Sequence, residues 1–207
     1  MITEDGVLQI FPISGLITKY LNTFEEEFKF IQNLEYIRNG SNFRSGDTYV
    51  LRHKELSKIN DFVHESLNKF TTEVLRTKQK VMVTQSWSNK NPPNTEHPAH
   101  HHPNSIISGV FYFKQNKTLP PIQFFRKHAL PEFEFKIEEY NNMNSHTFLL
   151  PMIDGDLVLF PSTLWHGVPL NQGNDIRYSL SFNTFANELG SEEELTQLKI
   201  QEDGKER

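Results

Sequence analysis

The chain has 207 residues, a net charge of −5 and no cysteine. This length indicates one domain with a substantial core, and the absence of cysteine excludes disulfides, iron–sulfur clusters, thiolate zinc sites and thiol nucleophiles. The acidic balance argues against a sequence-independent nucleic-acid binder, which would normally carry a basic stripe.

The N-terminus gives no sign of export. Met1–Asp5 lacks the basic and apolar regions of a signal peptide. No apolar run approaches the ~18–20 residues that a membrane span needs. We therefore expect a cytoplasmic protein with no membrane partner.

Two amphipathic helices are predicted in the first third of the chain. The first has apolar residues at three- and four-residue steps, namely Leu21, Phe24, Phe28 and Ile31. The second starts near Lys54, and its apolar stripe consists of Leu56, Ile59, Val63, Leu67, Phe70 and Val74. Both stripes should face the core, and residues 39–42 and 45–47 between them are predicted to be loops.

From Val81 onward the hydrophobic period becomes that of strands. The predicted strands are Val81–Trp87, Ile106–Phe113, Ile122–Phe125, Phe133–Ile137, Thr147–Leu150, Leu157–Phe160 and Ile176–Phe185. Short strands separated by turn clusters predict a sandwich or barrel, and the 17 phenylalanines would fill its interior. The Glu-rich segment from Ser191 is predicted to be a short helix with a frayed tail.

Histidines in two distant segments form a candidate metal site. His100 and His102 are two residues apart in an extended segment, so they point to one side, away from His101. His166 follows the predicted strand Leu157–Phe160. Imidazoles on two segments can share one metal ion. We predict these three as ligands, with His101 and His97 outside the ligand set.

An arginine near the C-terminus is a candidate anion site. In the strand around Arg177, Ile176 and Tyr178 point one way while Arg177 and Ser179 point the other. An arginine inside a sheet sandwich is costly unless an anion meets it, and its guanidinium pairs bidentately with a carboxylate. The anion could belong to a ligand or to an internal Asp or Glu.

The order of these motifs resembles the 2-oxoglutarate/Fe(II) oxygenases, in the prolyl-hydroxylase-like branch, and above all small bacterial and phage members. The motifs are HxH at 100–102, SGVFYF at 108–113, GDLVLFPS followed by WHGV within 155–168, and RYSLSFN at 177–183. The resemblance covers most of the chain. It implies a mainly-β jelly roll (double-stranded β-helix) with N-terminal α-helices in a single domain. Residues 1–80 would form a helical support region, 81–186 the core and 187–207 the tail.

The resemblance also implies roles for individual residues. His100 and His166 take the places of the family's two histidines, and Arg177 with Ser179 takes that of the group binding the far carboxylate of 2-oxoglutarate. Tyr112 matches a supporting hydroxyl. Residues expected to face the substrate are Trp87, Asn89, Trp165 and Asn183. The implied cofactor is Fe(II), with 2-oxoglutarate and O2 as cosubstrates. The implied reaction hydroxylates a small-molecule or peptidyl substrate and releases succinate and CO2.

The chain departs from the family pattern at one ligand. The wider superfamily has an acidic residue where this chain has His102. A neutral imidazole leaves the iron site one unit more positive, which alters its redox tuning and metal selectivity. Three-histidine iron sites occur in cupin-like oxygenases that do not use 2-oxoglutarate. Two alternatives are therefore a cupin-like enzyme without an oxo-acid and a non-catalytic jelly-roll module with a structural metal.

Overall fold

Thirteen strands and two helices make up the secondary structure of the residues that the computed structural model describes, 12–126 and 136–200. In chain order they are β1 (Leu16–Lys19), α1 (Glu25–Gln32), β2 (Tyr36–Asn39), β3 (Asn42–Ser45), α2 (Ser57–Lys69), β4 (Val81–Asn91), β5 (His97–His100), β6 (Ile107–Lys114), β7 (Ile122–Phe125), β8 (Thr147–Leu150), β9 (Asp156–Pro161), β10 (Trp165–Val168), β11 (Arg177–Ala186), β12 (Glu188–Leu189) and β13 (Leu198–Lys199). Two 3₁₀ turns, Val50–Arg52 and Lys54–Leu56, precede α2, and a π-helical turn, Phe70–Val74, continues it.

Two antiparallel sheets face each other. The larger sheet has the order β1-β9-β6-β11-β4-β3-β2, and the smaller has the order β5-β10-β7-β8. Strands β12 and β13 form a separate two-stranded ladder. This arrangement is the jelly roll that the sequence predicts.

The alternation along β6 shows how the core is divided into two layers. Phe111 and Phe113 belong to the cluster that packs the larger sheet against α1 and α2. Val110 and Tyr112 belong to a second cluster, which lies between the two sheets with residues of β7 and β9. Because successive side chains of a strand point to opposite faces, one strand supplies both layers. The face that carries Tyr112 is therefore the one that can line a cleft between the sheets.

Both predicted helices are present but shorter than their stripes. Phe28 and Ile31 lie in α1 and contact the core, whereas Phe24 and Leu21 precede the helix, and Leu21 is 87% exposed.

Of the second stripe, Ile59, Val63 and Leu67 are buried in α2. Leu56 and Phe70 are buried in the flanking turns, and Val74 is partly buried. The first 80 residues also supply β1, β2 and β3 to the larger sheet.

Three other predicted elements differ from the structure or lie partly outside the described residues. The predicted loops 39–42 and 45–47 are only partly loop, because Asn39 ends β2 and Asn42–Ser45 is a strand that pairs with both β2 and β4. The predicted helix after Ser191 is wrong: residues 192–195 form a turn, and β13 returns to pair with β12. The predicted strand Phe133–Ile137 begins outside the described residues, and its last two residues are not in a strand. Neither helix in the described ranges has the length and apolarity that crossing a membrane requires.

Candidate metal centre

The three predicted histidines come together at one end of the smaller sheet. His100 ends β5 and stands directly opposite His166 on β10. His102 lies two residues beyond β5, where its backbone N–H donates to the carbonyl of Ser162 at 3.0 Å. One ring nitrogen from each of the three histidines lies within 4.8 Å of those of the other two. The arrangement can therefore hold a single metal ion.

In two of the imidazoles the hydrogen bond occupies Nδ1 and leaves Nε2 available for a metal. The Nδ1 atom of His100 lies 2.8 Å from the carbonyl oxygen of Pro98, and the Nδ1 atom of His166 lies 2.8 Å from that of Leu164. Since a carbonyl can only accept, each Nδ1 carries the proton and donates it. The Nε2 lone pair of both rings is then free to bind a metal.

Small side chains around the histidines allow this close approach. A Cβ atom on Gly167 would lie 2.7 Å from the carbonyl oxygen of His97, so only glycine lets β10 pack this closely on β5. Ser162 is fully buried, and its Oγ contacts the hydroxyls of Ser105 at 2.7 Å and Ser108 at 2.8 Å. These bonds fix the loop whose carbonyl holds His102.

All three imidazoles are held neutral. Burial, followed by the neighbouring His100, lowers the pKa of His166 to about 3 and that of His102 to about 4. Burial also lowers the pKa of His100. A metal binds the neutral form of imidazole, so the protein keeps these rings ready for a metal at neutral pH.

Arg177 is buried at the other end of the same cleft. It is 2% exposed, and its Nη1 donates to Ser179 Oγ at 3.1 Å and to Asn91 Oδ1 at 3.4 Å. No acidic side chain in the described ranges forms an ion pair with it, and its Nε has no hydrogen-bond partner. The internal salt bridge is therefore not observed in this part of the chain. A buried cation with an unused donor calls for an external anion.

Tyr112 lies against Arg177. The guanidinium carbon is 5.1 Å from the centre of the Tyr112 ring. The tyrosine hydroxyl is buried without a partner, and burial raises its pKa to about 12. This group therefore remains a protonated donor at neutral pH, next to the unused donor of Arg177.

One cleft connects the histidines with the arginine. Its lining comprises Trp87, Asn89, His97, His100, His102, Ser108, Gly109, Val110, Ile122, Phe160, His166, Gly167, Val168, Arg177, Ser179, Ser181 and Phe182. The lining contains no acidic residue, so its only fixed charge is that of Arg177.

Of the four residues expected to face the substrate, two line the cleft and two do not. Trp87 and Asn89 line the cleft. Trp165 and Asn183 are not part of the lining: the ring of Trp165 lies 4.9 Å from that of His101, and Asn183 accepts a hydrogen bond from Ser108 at 2.8 Å. Asn183 is paired with Ser108 across the two strands and supports this lining residue from the side.

His97 contacts the site more closely than the sequence suggests. Its ring stacks on that of His100 with centroids 4.4 Å apart, and it lines the cleft. Strict alternation would send residues 97 and 100 to opposite sides, but the pairing of β5 with β10 is irregular at this point. The sequence carries no signal for this irregularity. His97 is not one of the three clustered ligands, and His101 is exposed.

Residues 85–183, which include all of these cleft residues, match a protein-family model described as "Putative 2OG-Fe(II) oxygenase". The matched segment is a little under half of the chain, and this cleft-bearing part resembles the 2OG-Fe(II) oxygenases. A search of curated protein sequences finds no significant match to this chain.

Solved structures with the same fold include 2-oxoglutarate-dependent enzymes. SnoN, a non-heme alpha ketoglutarate dependent epimerase from nogalamycin biosynthesis, aligns with a TM-score of 0.63 and 10% identity over 84% of this chain and 78% of its own. HygX from Streptomyces hygroscopicus, with nickel, 2-oxoglutarate and hygromycin B bound, aligns at 0.60 and 11% identity over 83% and 82%. A 2OG-Fe(II) oxygenase family oxidoreductase from Burkholderia pseudomallei aligns at 0.57 and 10% over 78% and 76%. At these identities the likeness establishes the fold.

Replacing one ligand should separate the clustered histidines from their exposed neighbour. We expect His166→Ala to abolish stoichiometric Fe(II) binding, because two imidazoles from one segment remain. His101→Ala should retain most of it, because that side chain is exposed beside the cluster. Anaerobic calorimetric titration with Fe(II) measures both. Equal loss in the two variants, or normal binding by His166→Ala, would contradict the assignment.

The metal-free protein should lose stability in mildly acidic solution. An unfolded histidine has a pKa of about 6.5, whereas burial lowers the pKa of His97 and His166 to about 3 and that of His102 to about 4. Between these values the unfolded state binds protons that the folded state does not, so stability falls as pH falls from about 6.5 to about 3.

Thermal melts of metal-free protein at pH 7.5 and pH 5 measure this loss. We expect the drop in melting temperature to be smaller in His166→Gln than in the wild type, while His101→Gln should match the wild type. A drop that is the same in all three proteins would show that these buried rings are not its cause.

Proposed function

We propose that this protein binds Fe(II) through His100, His102 and His166 and uses 2-oxoglutarate and O2 to hydroxylate its substrate, releasing succinate and CO2. The observation that carries the proposal is the single cleft joining three neutral imidazoles to a buried guanidinium with no protein counter-charge. A molecule with a metal-chelating group at one end and a carboxylate at the other would bind both the metal held by the histidines and Arg177.

The residues of the metal end fit a divalent iron site. They offer three neutral nitrogen donors, two of which have Nδ1 committed to a backbone carbonyl. Imidazole ligands suit Fe(II), and Fe(II) bound there would supply the oxygen chemistry of the reaction. The protein's own part is to orient these rings and to keep them neutral.

The residues of the arginine end would bind the far carboxylate of 2-oxoglutarate. Arg177 supplies the charge, and Ser179, which already accepts a hydrogen bond from it, positions the guanidinium. The Tyr112 hydroxyl supplies a second donor beside it. Because charge-assisted bidentate contacts are strong and directional, these groups would set the cosubstrate's position relative to the metal.

The charge of the cleft supports an anionic cosubstrate despite the histidine at position 102. With no acidic residue in the lining, a divalent metal and Arg177 together carry three positive charges. The dianion 2-oxoglutarate offsets two of them. The structure of HygX with nickel and 2-oxoglutarate supports the same assignment by its shared fold.

The substrate would approach the metal along the wall formed by Trp87 and Asn89. Asn89 donates from Nδ2 to Ser181 Oγ at 2.9 Å, which leaves its buried Oδ1 without a partner and able to accept from a ligand. Trp87 offers a flat apolar surface next to His102, with the ring centres 5.6 Å apart. A small molecule or a peptidyl side chain could use both groups.

We also propose that residues 1–207 act as one oxygenase domain. Strand β1 pairs with β9 at the edge of the larger sheet, and the core formed with α1 and α2 includes residues of β6, β9 and β11. The N-terminal region therefore shares a core with the strands that carry the cleft.

A three-histidine, cupin-like enzyme without an oxo-acid is the second candidate, favoured by His102 in place of a carboxylate. A non-catalytic jelly-roll module that holds a structural metal is the third. Both give the buried, unpaired Arg177 no role. Turnover of 2-oxoglutarate separates the first candidate from the other two.

The test is conversion of 2-oxoglutarate to succinate by Fe(II)-loaded protein in oxygenated buffer. We expect slow, uncoupled formation of succinate even without substrate. Arg177→Ala should raise the 2-oxoglutarate concentration for half-maximal turnover strongly, since a buried charged contact contributes about 2–5 kcal/mol. Tyr112→Phe should raise it less, by about one hydrogen bond's worth of 0.5–1.5 kcal/mol. Chromatographic assay of succinate measures all three proteins.

Absence of succinate from both the wild type and His102→Asp, with iron bound in each, would favour the second or third candidate. His102→Asp, which restores the superfamily's acidic ligand, serves as the companion variant. We expect it to bind Fe(II) and to form succinate, because the carboxylate-binding end is unchanged. An inactive wild type beside an active variant would assign the loss to position 102.

A further inference from the structure

We propose that Asn91 is a second donor to the far carboxylate of the oxo-acid and thereby selects 2-oxo acids with two carboxylates. The inference rests on the proposed function and adds a residue that the sequence motifs do not single out. Asn91 ends β4 and stands directly opposite Arg177 on β11, so both side chains share the inner face of the larger sheet.

Arg177 fixes the orientation of the Asn91 amide. A guanidinium can only donate, and the Nη1 of Arg177 lies 3.4 Å from Asn91 Oδ1. The oxygen of the amide must therefore face the arginine, so the amide nitrogen Nδ2 points away from this hydrogen bond. Asn91 is fully buried, and this Nδ2 has no acceptor among the described residues. A buried amide donor is costly unless an acceptor reaches it.

The backbone carbonyl of Asn91 has a hydrogen-bond partner, whereas its side-chain Nδ2 has none. Asn171, also fully buried, donates from Nδ2 to the carbonyl of Asn91 at 2.9 Å and to that of Asp175 at 2.8 Å. Its Oδ1 accepts from the backbone N–H of Gly173 at 3.0 Å. Asn171 thus uses its whole amide to fix this corner of the sheet, whereas half of the Asn91 amide has no protein partner.

Three donors around the guanidinium are buried without a partner, namely Asn91 Nδ2, Arg177 Nε and Tyr112 Oη. Arg177 contacts both of the other residues, through Asn91 Oδ1 and the ring of Tyr112. No acidic side chain in the described ranges pairs with the arginine. A carboxylate has two oxygens with about four lone-pair sites and can accept from all three. A 2-oxo acid with one carboxylate, such as 2-oxobutanoate, would fill the metal end and leave these donors unused.

A competing explanation involves the neighbouring strand. The register of β3 on β4 places Asn42 beside Asn91, and both polar atoms of the buried Asn42 amide also have no partner. If Asn91 served only to pair with Asn42, its removal would affect stability but not the choice of oxo-acid. The discriminating quantity is therefore the ratio of affinities for the two acids.

The experiment is anaerobic calorimetric titration of Fe(II)-loaded protein with 2-oxoglutarate and, separately, with 2-oxobutanoate. We expect Asn91→Ala to weaken 2-oxoglutarate binding roughly tenfold or more, the effect of one hydrogen bond to a charged group, and to leave 2-oxobutanoate within about twofold. Asn91→Asp keeps the acceptor for Arg177 but puts a negative charge where the donor was. It should weaken 2-oxoglutarate binding further.

Ser86→Ala is the matched control, because Ser86 is a buried polar residue of the same strand whose hydroxyl accepts a hydrogen bond from the backbone N–H of Leu51, away from Arg177. It should leave the ratio of affinities unchanged. An unchanged ratio in Asn91→Ala, or equal weakening of both acids, would overturn the role of Asn91 while leaving the proposed function intact. A wild type that does not prefer 2-oxoglutarate would overturn both.

Discussion

The pairing of β5 with β10 is the contact on which the site depends. It sets His100 opposite His166 and brings the loop with His102 against the carbonyl of Ser162. The pairing requires glycine at position 167, where any Cβ would collide with the backbone of β5. Two short strands of four residues each therefore determine whether three imidazoles from distant parts of the chain can share an ion.

The second constraint is electrostatic. The cleft holds a buried guanidinium and three neutral imidazoles, and its lining has no acidic side chain to offset a bound metal. With histidine instead of a carboxylate at position 102, the net charge of the metal-loaded cleft is one unit more positive. The same imbalance makes the cleft receptive to a dianion, so the departure from the superfamily pattern and the use of an oxo-acid are compatible. The unused donors near Arg177 point to where that dianion's far end would lie.

Much of this could be predicted from the sequence, and the reasons are physical. The apolar run of β6, the alternation in the second half of β11 and the stripe of α2 reflect burial directly, so those elements were predicted within a few residues. The separation of His100 and His102 from His101 followed from the same alternation. The order of the motifs then led to the 2OG-Fe(II) oxygenases, whose family model matches residues 85–183.

What the sequence did not predict depends on pairing between strands. The strands β2, β3, β5 and β10 are short or polar, and they exist because neighbouring strands satisfy their backbone groups. The place of His97 depends on an irregular register, and the importance of Asn91 depends on the strand opposite it. The Glu-rich end of the chain suggested a helix, but a turn and a two-residue ladder were found. In each case the deciding partner is far away in the sequence.

The central claim is that one small molecule bridges the three histidines and Arg177. A crystal structure grown without oxygen, with Mn(II) in place of iron and with 2-oxoglutarate, tests it most directly. The account predicts one metal with a nitrogen of His100, His102 and His166 at roughly 2.0–2.3 Å. It also predicts the far carboxylate on Arg177. A metal that lacks any of these three ligands, or an oxo-acid whose far carboxylate lies away from Arg177, would contradict the account.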